Sequence, residues 1–385
     1  MRRSRPARST TLLAALVALC FASPAFAHGV GMSQFHLIVD RTDIVGEWEI
    51  HLKDALMVAG LDSSMSGPAG FEAVKTRERA VRDYMEGKLQ VTADSVAVPL
   101  HLTAAPVEWQ PALQYLRFHV EAQVAQRPRR LTLRYSLLFE REPNHRGYFS
   151  VEDARVVNAG VLTPDQPSVS FDVRQLHILP AFVEFAREGV FHIWTGYDHM
   201  LFLFALLLPA ALVRVGPGWM PRQGLWKTGR EVMKVVTAFT AAHTVTLCLG
   251  FFGVVSISSR IVETAIAISV FAAAWNNLRP FLPGRAWVMA ASFGLVHGLG
   301  FAGVLRNLML PTHARGLALG AFNIGVEIGQ LGIVALTLPL LYLLSRRAFY
   351  PRFVMGIGSL LISWLAVVWV IERAFGMQLL ARIHF

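Results

Sequence analysis

The chain has 385 residues, of which 54% are hydrophobic and only 16% charged, and its mean hydropathy is +0.45. Those proportions exclude an ordinary soluble globular protein and a disordered one. The formal charge of +10 sits in short stretches between apolar runs, a pattern of membrane topology and not of nucleic-acid binding. Two cysteines, Cys20 and Cys248, leave no disulfide framework and no thiolate metal site.

Residues 1–27 have the layout of a cleaved export signal. Arg2, Arg3, Arg5 and Arg8 precede the apolar TLLAALVALCFA, and Ala25-Phe26-Ala27 supplies the small-residue cleavage site. Its removal takes four arginines and leaves 10 − 4 = +6 on the mature chain. It also leaves His28 first, whose amine and imidazole would chelate Cu²⁺ with His36, His51 or His119 as third ligand. The plainer reading is that processing happens to leave a histidine there.

Residues 28–186 read as a small, mainly β extracytoplasmic domain. In VGEWEIHLKDA, Trp48, Ile50 and Leu52 alternate with Glu47, Glu49, His51 and Lys53. The same period of two recurs in LQYLRFHVEAQV and RLTLRYSLLFERE. GFEAVKTRERAVRDYMEGKL has helical spacing, so a β-sandwich with one inserted helix is expected. His51 and His119 fall on polar strand faces, as cation collectors or plain surface residues. No nucleophilic triad or phosphate loop stands out, and docking of a partner or metal donor is the default role.

Residues 187–375 predict an α-helical polytopic bundle of six membrane helices, 188–213, 231–253, 260–282, 286–308, 315–344 and 350–373, with 376–385 a short tail. Each is long enough for a hydrocarbon core of about 30 Å. With the exported domain outside, inner loops hold Arg214, Arg222, Lys227, Arg230, Arg279, Arg285, Arg346, Arg347 and Arg352. Outer loops hold Arg260, Arg306, Arg315 and Arg373. That bias fits a bacterial-type inner membrane with the N-terminal domain extracytoplasmic. Pro339 predicts a kink or interfacial end in the long fifth segment.

Three histidines, His199, His243 and His297, each lie near the middle of a different predicted helix, with Asp198 and Glu327 at similar depth. Ionisable groups there are costly and mark a site by default. At about 1.5 Å per residue, His199, His243, His297 and Glu327 lie roughly 15–20 Å deep. His192, seven residues before His199, would stand two helical turns outward on the same face and pass an ion inward. Asn323, Glu327 and Gln330 make a polar stripe, Glu263 would attract cations near the outer start of the third helix, and Gly294, Gly298 and Gly300 suit close packing.

Imidazole with carboxylate suits Ni²⁺, Co²⁺ or Zn²⁺ better than Mg²⁺ or Ca²⁺. Three function classes follow. A transporter passes such an ion along several moderate sites. An intramembrane zinc hydrolase uses three histidines and an open position, with Asp198 or Glu327 as base and a lipid or lipid-linked amide as substrate. An assembly or sensor protein uses the same polar residues only to lock helices together.

His192-x5-Asp198-His199 resembles the H-x5-D-H signature in the first helix of the HupE/UreJ family of nickel and cobalt permeases, and FGLVHGLG resembles that family's second motif. The resemblance covers about 187–345, and an exported β domain is typical of a second branch of the family. It implies a metal permease in which His192, Asp198, His199 and His297 handle the ion. Where the second motif carries another histidine and a terminal acid, this chain has Phe293 and Gly300, and His243 and the GVEIGQ stretch around Glu327 are the residues able to compensate.

Overall fold

The computed structural model describes residues 31–110, 114–154, 156–175, 178–215, 218–255, 257–281, 285–307 and 312–375, with side chains described throughout except at 301–315. The expected signal peptide, His28 and the tail 376–385 lie outside the described residues.

The alternating segments form a two-sheet domain. One sheet has the order β10-β9-β1-β2-β7-β5, built from β10 (Val156–Leu162), β9 (Arg146–Asp153), β1 (Met32–Asp40), β2 (Asp43–His51), β7 (Tyr115–Gln123) and β5 (His101–Leu102), with β6 (Glu108–Gln110) also on β7. The other runs β11 (Ser168–Asp172), β8 (Arg130–Tyr135), β3 (Leu89–Ala93), β4 (Val96–Val98). β1 pairs antiparallel with β2 and parallel with β9. Phe35, Trp48, Phe118, Leu131, Leu133 and Tyr135 fill the space between the sheets.

Three short helices, and not one, follow β2: α1 (Leu52–Val58), α2 (Gly67–Lys75) and α3 (Glu78–Met85). The strand read through Leu52 and Lys53 ends at His51, whose Nδ1 accepts from the Lys53 amide at 3.2 Å and so caps α1. The expected cation collector is therefore a structural cap. His119 instead faces Glu108 at 3.4 Å.

The apolar half holds α4 (Ile178–Thr195), α5 (Tyr197–Ala210), a β12–β13 hairpin (Leu212–Val215, Gly218–Pro221), α6 (Leu225–Phe251), α7 (Ser259–Leu278), α8 (Ala286–Asn307) and α9 (Thr312–Ser345). A π-helical turn at Tyr350–Ile357 leads into α10 (Gly358–Phe375). Among the described residues four helices are long and apolar enough to cross a membrane, or five if α4 and α5 form one span. α8 is apolar over the shorter stretch Ala286–Gly300, so six full spans is more than length and composition establish. Leu336, Leu343 and Trp364 are exposed, an apolar exterior that suits lipid and not water.

Two features depart from the expected helices. The first segment is not one helix: α4 begins at Ile178 and meets α5 at a 69° bend around Gly196. The fifth runs on as a single helix through Pro339, because neighbouring groups inside a bundle can take over the backbone acceptor a proline leaves open.

Glycine sets the helix spacing. A Cβ at Gly298 would stand 2.3 Å from the His243 carbonyl oxygen, and one at Gly325 would stand 1.9 Å from that of Ala186. α8 therefore lies directly on α6, and α9 on α4. The β domain is tied to α4 by Arg146, whose Nε is 3.3 Å from Glu188 Oε1 and whose guanidinium stacks 4.0 Å from the Phe191 ring. The Val161 amide donates to Glu184 Oε2 at 3.0 Å on the same helix.

Candidate metal centre

The bend at Gly196 builds the site. His192 ends α4 and His199 opens α5, and their rings meet at 4.7 Å between centroids. On one straight helix seven residues would separate them by about 10 Å along the axis. The expected outward-to-inward ladder is thus a single cluster. One ligand atom each from His192, His199 and His243 lie within 4.8 Å of one another. The His297 ring stands 5.0 Å from that of His199.

Each of the deeper histidines has one nitrogen held and the other left over. His199 Nδ1 is 3.1 Å from Asp198 Oδ1, and Arg373 Nη2 lies 3.5 Å from the other oxygen of that carboxylate. His243 Nδ1 is 3.4 Å from Asn323 Oδ1. The Asn323 amide nitrogen donates to the Leu319 carbonyl at 2.9 Å, which turns Oδ1 toward the ring. His297 Nε2 is 3.0 Å from Ser269 Oγ, whose own proton goes to the Ile266 carbonyl at 2.7 Å. Ser269 must therefore accept from His297.

These contacts assign His199 Nε2, His243 Nε2 and His297 Nδ1 as bare lone pairs. All three atoms are buried without a hydrogen-bond partner among the described residues. An unmet buried polar group costs roughly 1–3 kcal/mol. Three buried imidazole nitrogens without a partner, each on a ring whose other nitrogen is engaged from behind, are what a set of metal ligands with outer-shell partners would require. Phe202 and Phe239 wall the cluster, each with its ring 5.3 Å from that of His297.

Backbone clearance is part of the design. A Cβ at Gly196 would fall 2.6 Å from the His192 carbonyl oxygen and 2.9 Å from His199 Nδ1, so a side chain here would collide with the two histidines that the turn brings together.

The remaining expected residues divide. Asn323 joins the cluster through His243. Gln330 Oε1 accepts from Thr240 at 2.9 Å, one turn of α6 before that histidine. Glu327 does not reach the histidines; its Oε1 accepts from Thr237 at 2.8 Å at the edge of the α6–α9 seam. Glu263 is exposed at the start of α7, where Ser259 donates to it at 2.5 Å. Arg373 connects the two regions, because it donates to the Glu263 carbonyl at 3.0 Å while its guanidinium faces Asp198.

The site is also off-centre. His243 lies 243 − 225 = 18 residues from the start of α6 and 251 − 243 = 8 from its end. The depth expected from a helix starting at 231 changes because α6 extends six residues further back. Phe293 packs its ring 5.5 Å from Phe202, and a Cβ at Gly300 would meet Ile266, so neither position offers a ligand.

Sequence reading missed Ser269 and the partnership of Arg373 with Asp198. Ser269 carries no charge to mark it. Arg373 was visible as a loop cation at the end of the last segment, but its direction was not.

No individually curated protein matches the chain. The family profile described as HupE / UreJ protein matches residues 170–373, more than half of the sequence and all of the cluster. The chain therefore belongs to the HupE/UreJ family.

Proposed function

We propose that this protein is an integral membrane transporter of a divalent transition metal, with Ni²⁺ foremost and Co²⁺ or Zn²⁺ as alternatives, and that the ion passes through the His192, His199, His243 and His297 cluster. HupE/UreJ is a membrane family associated with nickel and cobalt transport, and that association gives the prior. The observation that carries the reading is the set of three buried, unpartnered imidazole nitrogens whose opposite nitrogens are engaged, beside three histidines with ligand atoms within 4.8 Å of one another. A purely structural role would leave those nitrogens bonded to neighbouring helices.

The site joins two half-helices, a recurring way to expose ligands within a membrane without stranding backbone. The ion is cargo. Neutral imidazole gives moderate ligation, weak enough to let the ion go again, as conduction requires. Asp198 positions His199 and offsets the positive charge of the ion. Arg373, near the outward end of that pair in the proposed topology, holds Asp198 and with Glu263 frames the approach. The protein sits in an inner membrane with the β domain outside, as the loop arginines argue.

The hydrolase reading needs a free general base beside the histidines. Asp198 is engaged by His199 and Arg373, and Glu327 by Thr237, which favours transport. Reconstitution into proteoliposomes with Ni²⁺, Co²⁺ or Zn²⁺ outside separates the two. Saturable flux that His199→Ala removes supports the permease. A single tightly held zinc with no flux supports the hydrolase.

A further inference from the structure

The chain entering α6 is strongly basic. Between residues 222 and 234, Arg222, Lys227, Arg230 and Lys234 face the single acid Glu231, a balance of 4 − 1 = +3. Glu231 is taken by Lys234, whose Nζ donates to its Oε1 at 2.9 Å. Arg285, just before α8, adds a cation at the same level. α6 and α8 run parallel and in step: a Cβ at Gly294 would stand 2.4 Å from the Phe239 carbonyl oxygen, and one at Gly298 2.3 Å from that of His243. The offset is 294 − 239 = 55 and 298 − 243 = 55, which places Arg285 opposite 285 − 55 = 230, beside Arg230.

An open groove of about 570 Å³ runs from these cations along the outer face of the two helices. Arg230 and Lys234 line one end, and Met233, Ala238, Ala241 and Trp287 continue it as an apolar track. From Arg230 to Ala241 is 11 residues, about 16 Å of helix, or roughly half of a 30 Å hydrocarbon core. The groove is thus one leaflet long. Trp226 and Trp287, 87% and 41% exposed, belong at a membrane–water boundary, and they stand at its charged end. Thr237, which holds Glu327, also lines the groove, but about 10 Å further along than Arg230. The metal cluster lies elsewhere: His243, two residues past Ala241, is fully buried, about 200° around the helix.

We propose that this groove holds one anionic phospholipid of the leaflet in which α6 begins, the inner one in the proposed topology. Its phosphate would sit at Arg230, Lys234 and Arg285, and one acyl chain would lie along Met233, Ala238, Ala241 and Trp287. Charge complementarity selects the headgroup. Guanidinium and ammonium donors match phosphate oxygens, and cations just inside the membrane boundary attract anionic lipid. A zwitterionic lipid brings its own positive charge to a rim that is already basic. The site stands whether or not an ion passes through the histidines.

The test is native mass spectrometry of the full chain in detergent, titrated with phosphatidylglycerol or with phosphatidylcholine of the same acyl chains. The wild type should take up one phosphatidylglycerol at least about tenfold more tightly than phosphatidylcholine, since each cation near the surface is worth about fivefold. Arg230→Gln/Lys234→Gln should lose that preference with its helical circular dichroism unchanged. Ala241→Phe fills the apolar end and leaves every cation in place, so it should also weaken phosphatidylglycerol binding, which a general surface attraction would not show. His199→Ala should bind the lipid as the wild type does, whatever becomes of metal uptake. Equal binding of the two lipids, or a preference that survives in both groove variants, would overturn the proposal. So would a dimer that forms without lipid and is broken by Ala241→Phe, which would give the groove to a second copy of the chain.

Discussion

His192 and His199 hold their rings 4.7 Å apart, face to edge, across a helix break that turns the chain through 69°. Their closeness depends on Gly196, and the first prediction follows from it. Gly196→Ala would place a methyl group 2.6 Å from the His192 carbonyl and 2.9 Å from the His199 ring. The variant should keep its helical circular dichroism while losing metal binding. Retention of wild-type affinity would show that the break can relax without moving the ligands.

In the proposed site Ser269 would act on an ion only through His297, its imidazole partner at 3.0 Å. Replacing it with alanine removes the acceptor that fixes Nε2–H and leaves Nδ1 bare. Loss of such an outer-shell partner costs roughly 10–100-fold in metal affinity. Isothermal titration of Ser269→Ala should find a drop in that range. Glu327→Gln, by contrast, should leave both affinity and stoichiometry unchanged, because Glu327 is turned to Thr237 and away from the histidines.

Arg146 and Glu188 form a nearly buried ion pair between the β domain and α4, 7% and 8% exposed. Removing one partner of such a pair strands the other charge, at a cost of about 3–5 kcal/mol. Arg146→Met should therefore unfold at clearly lower temperature than wild type. The double variant Arg146→Met/Glu188→Met should recover most of the loss. Equal destabilisation by the single and double variants would mean that packing of Arg146 on Phe191, and not its charge, holds the domains.

The acid stability of the β domain should contain a term from His51. Burial, with a smaller contribution from the neighbouring Lys53 charge, pushes this imidazole down to about 4, against an ordinary value of 6.5. Its neutral Nδ1 is what caps α1. The unfolded chain takes up the proton first as pH falls, so the contribution is whole above about 6.5 and lost as pH drops toward 4. His51→Gln keeps an acceptor and should flatten that slope in thermal unfolding measured between pH 4 and 7. An unchanged slope would assign the effect elsewhere.

Much of this site was legible from residues alone, for a physical reason. Histidine and aspartate are conspicuous in apolar segments, and periodicity assigned His199, His243 and His297 to three separate helices. The family resemblance rested on the same first motif. What stayed hidden was geometry without a composition signal. Gly196 sits among residues that continue a helical pattern, so the break, and with it the pairing of His192 with His199, could not be read from spacing. Glu327 shares a stripe with Asn323 and Gln330, yet the pitch of the helix turns it to the seam's edge. In the β domain, alternation placed β2 and β7 well and the start of β8, which stops at Tyr135 and not at Glu142, while the change from strand to helix at Leu52 depends on a cap that alternation does not encode.

The central claim is that the four histidines hold and pass a metal ion. The most direct measurement is Ni²⁺ uptake and metal content on one preparation of reconstituted protein, comparing wild type with His199→Ala and His243→Ala. The account predicts saturable uptake by the wild type and its loss in both variants, with one fewer ion bound and the fold intact. Full uptake and full metal content in both variants would contradict it.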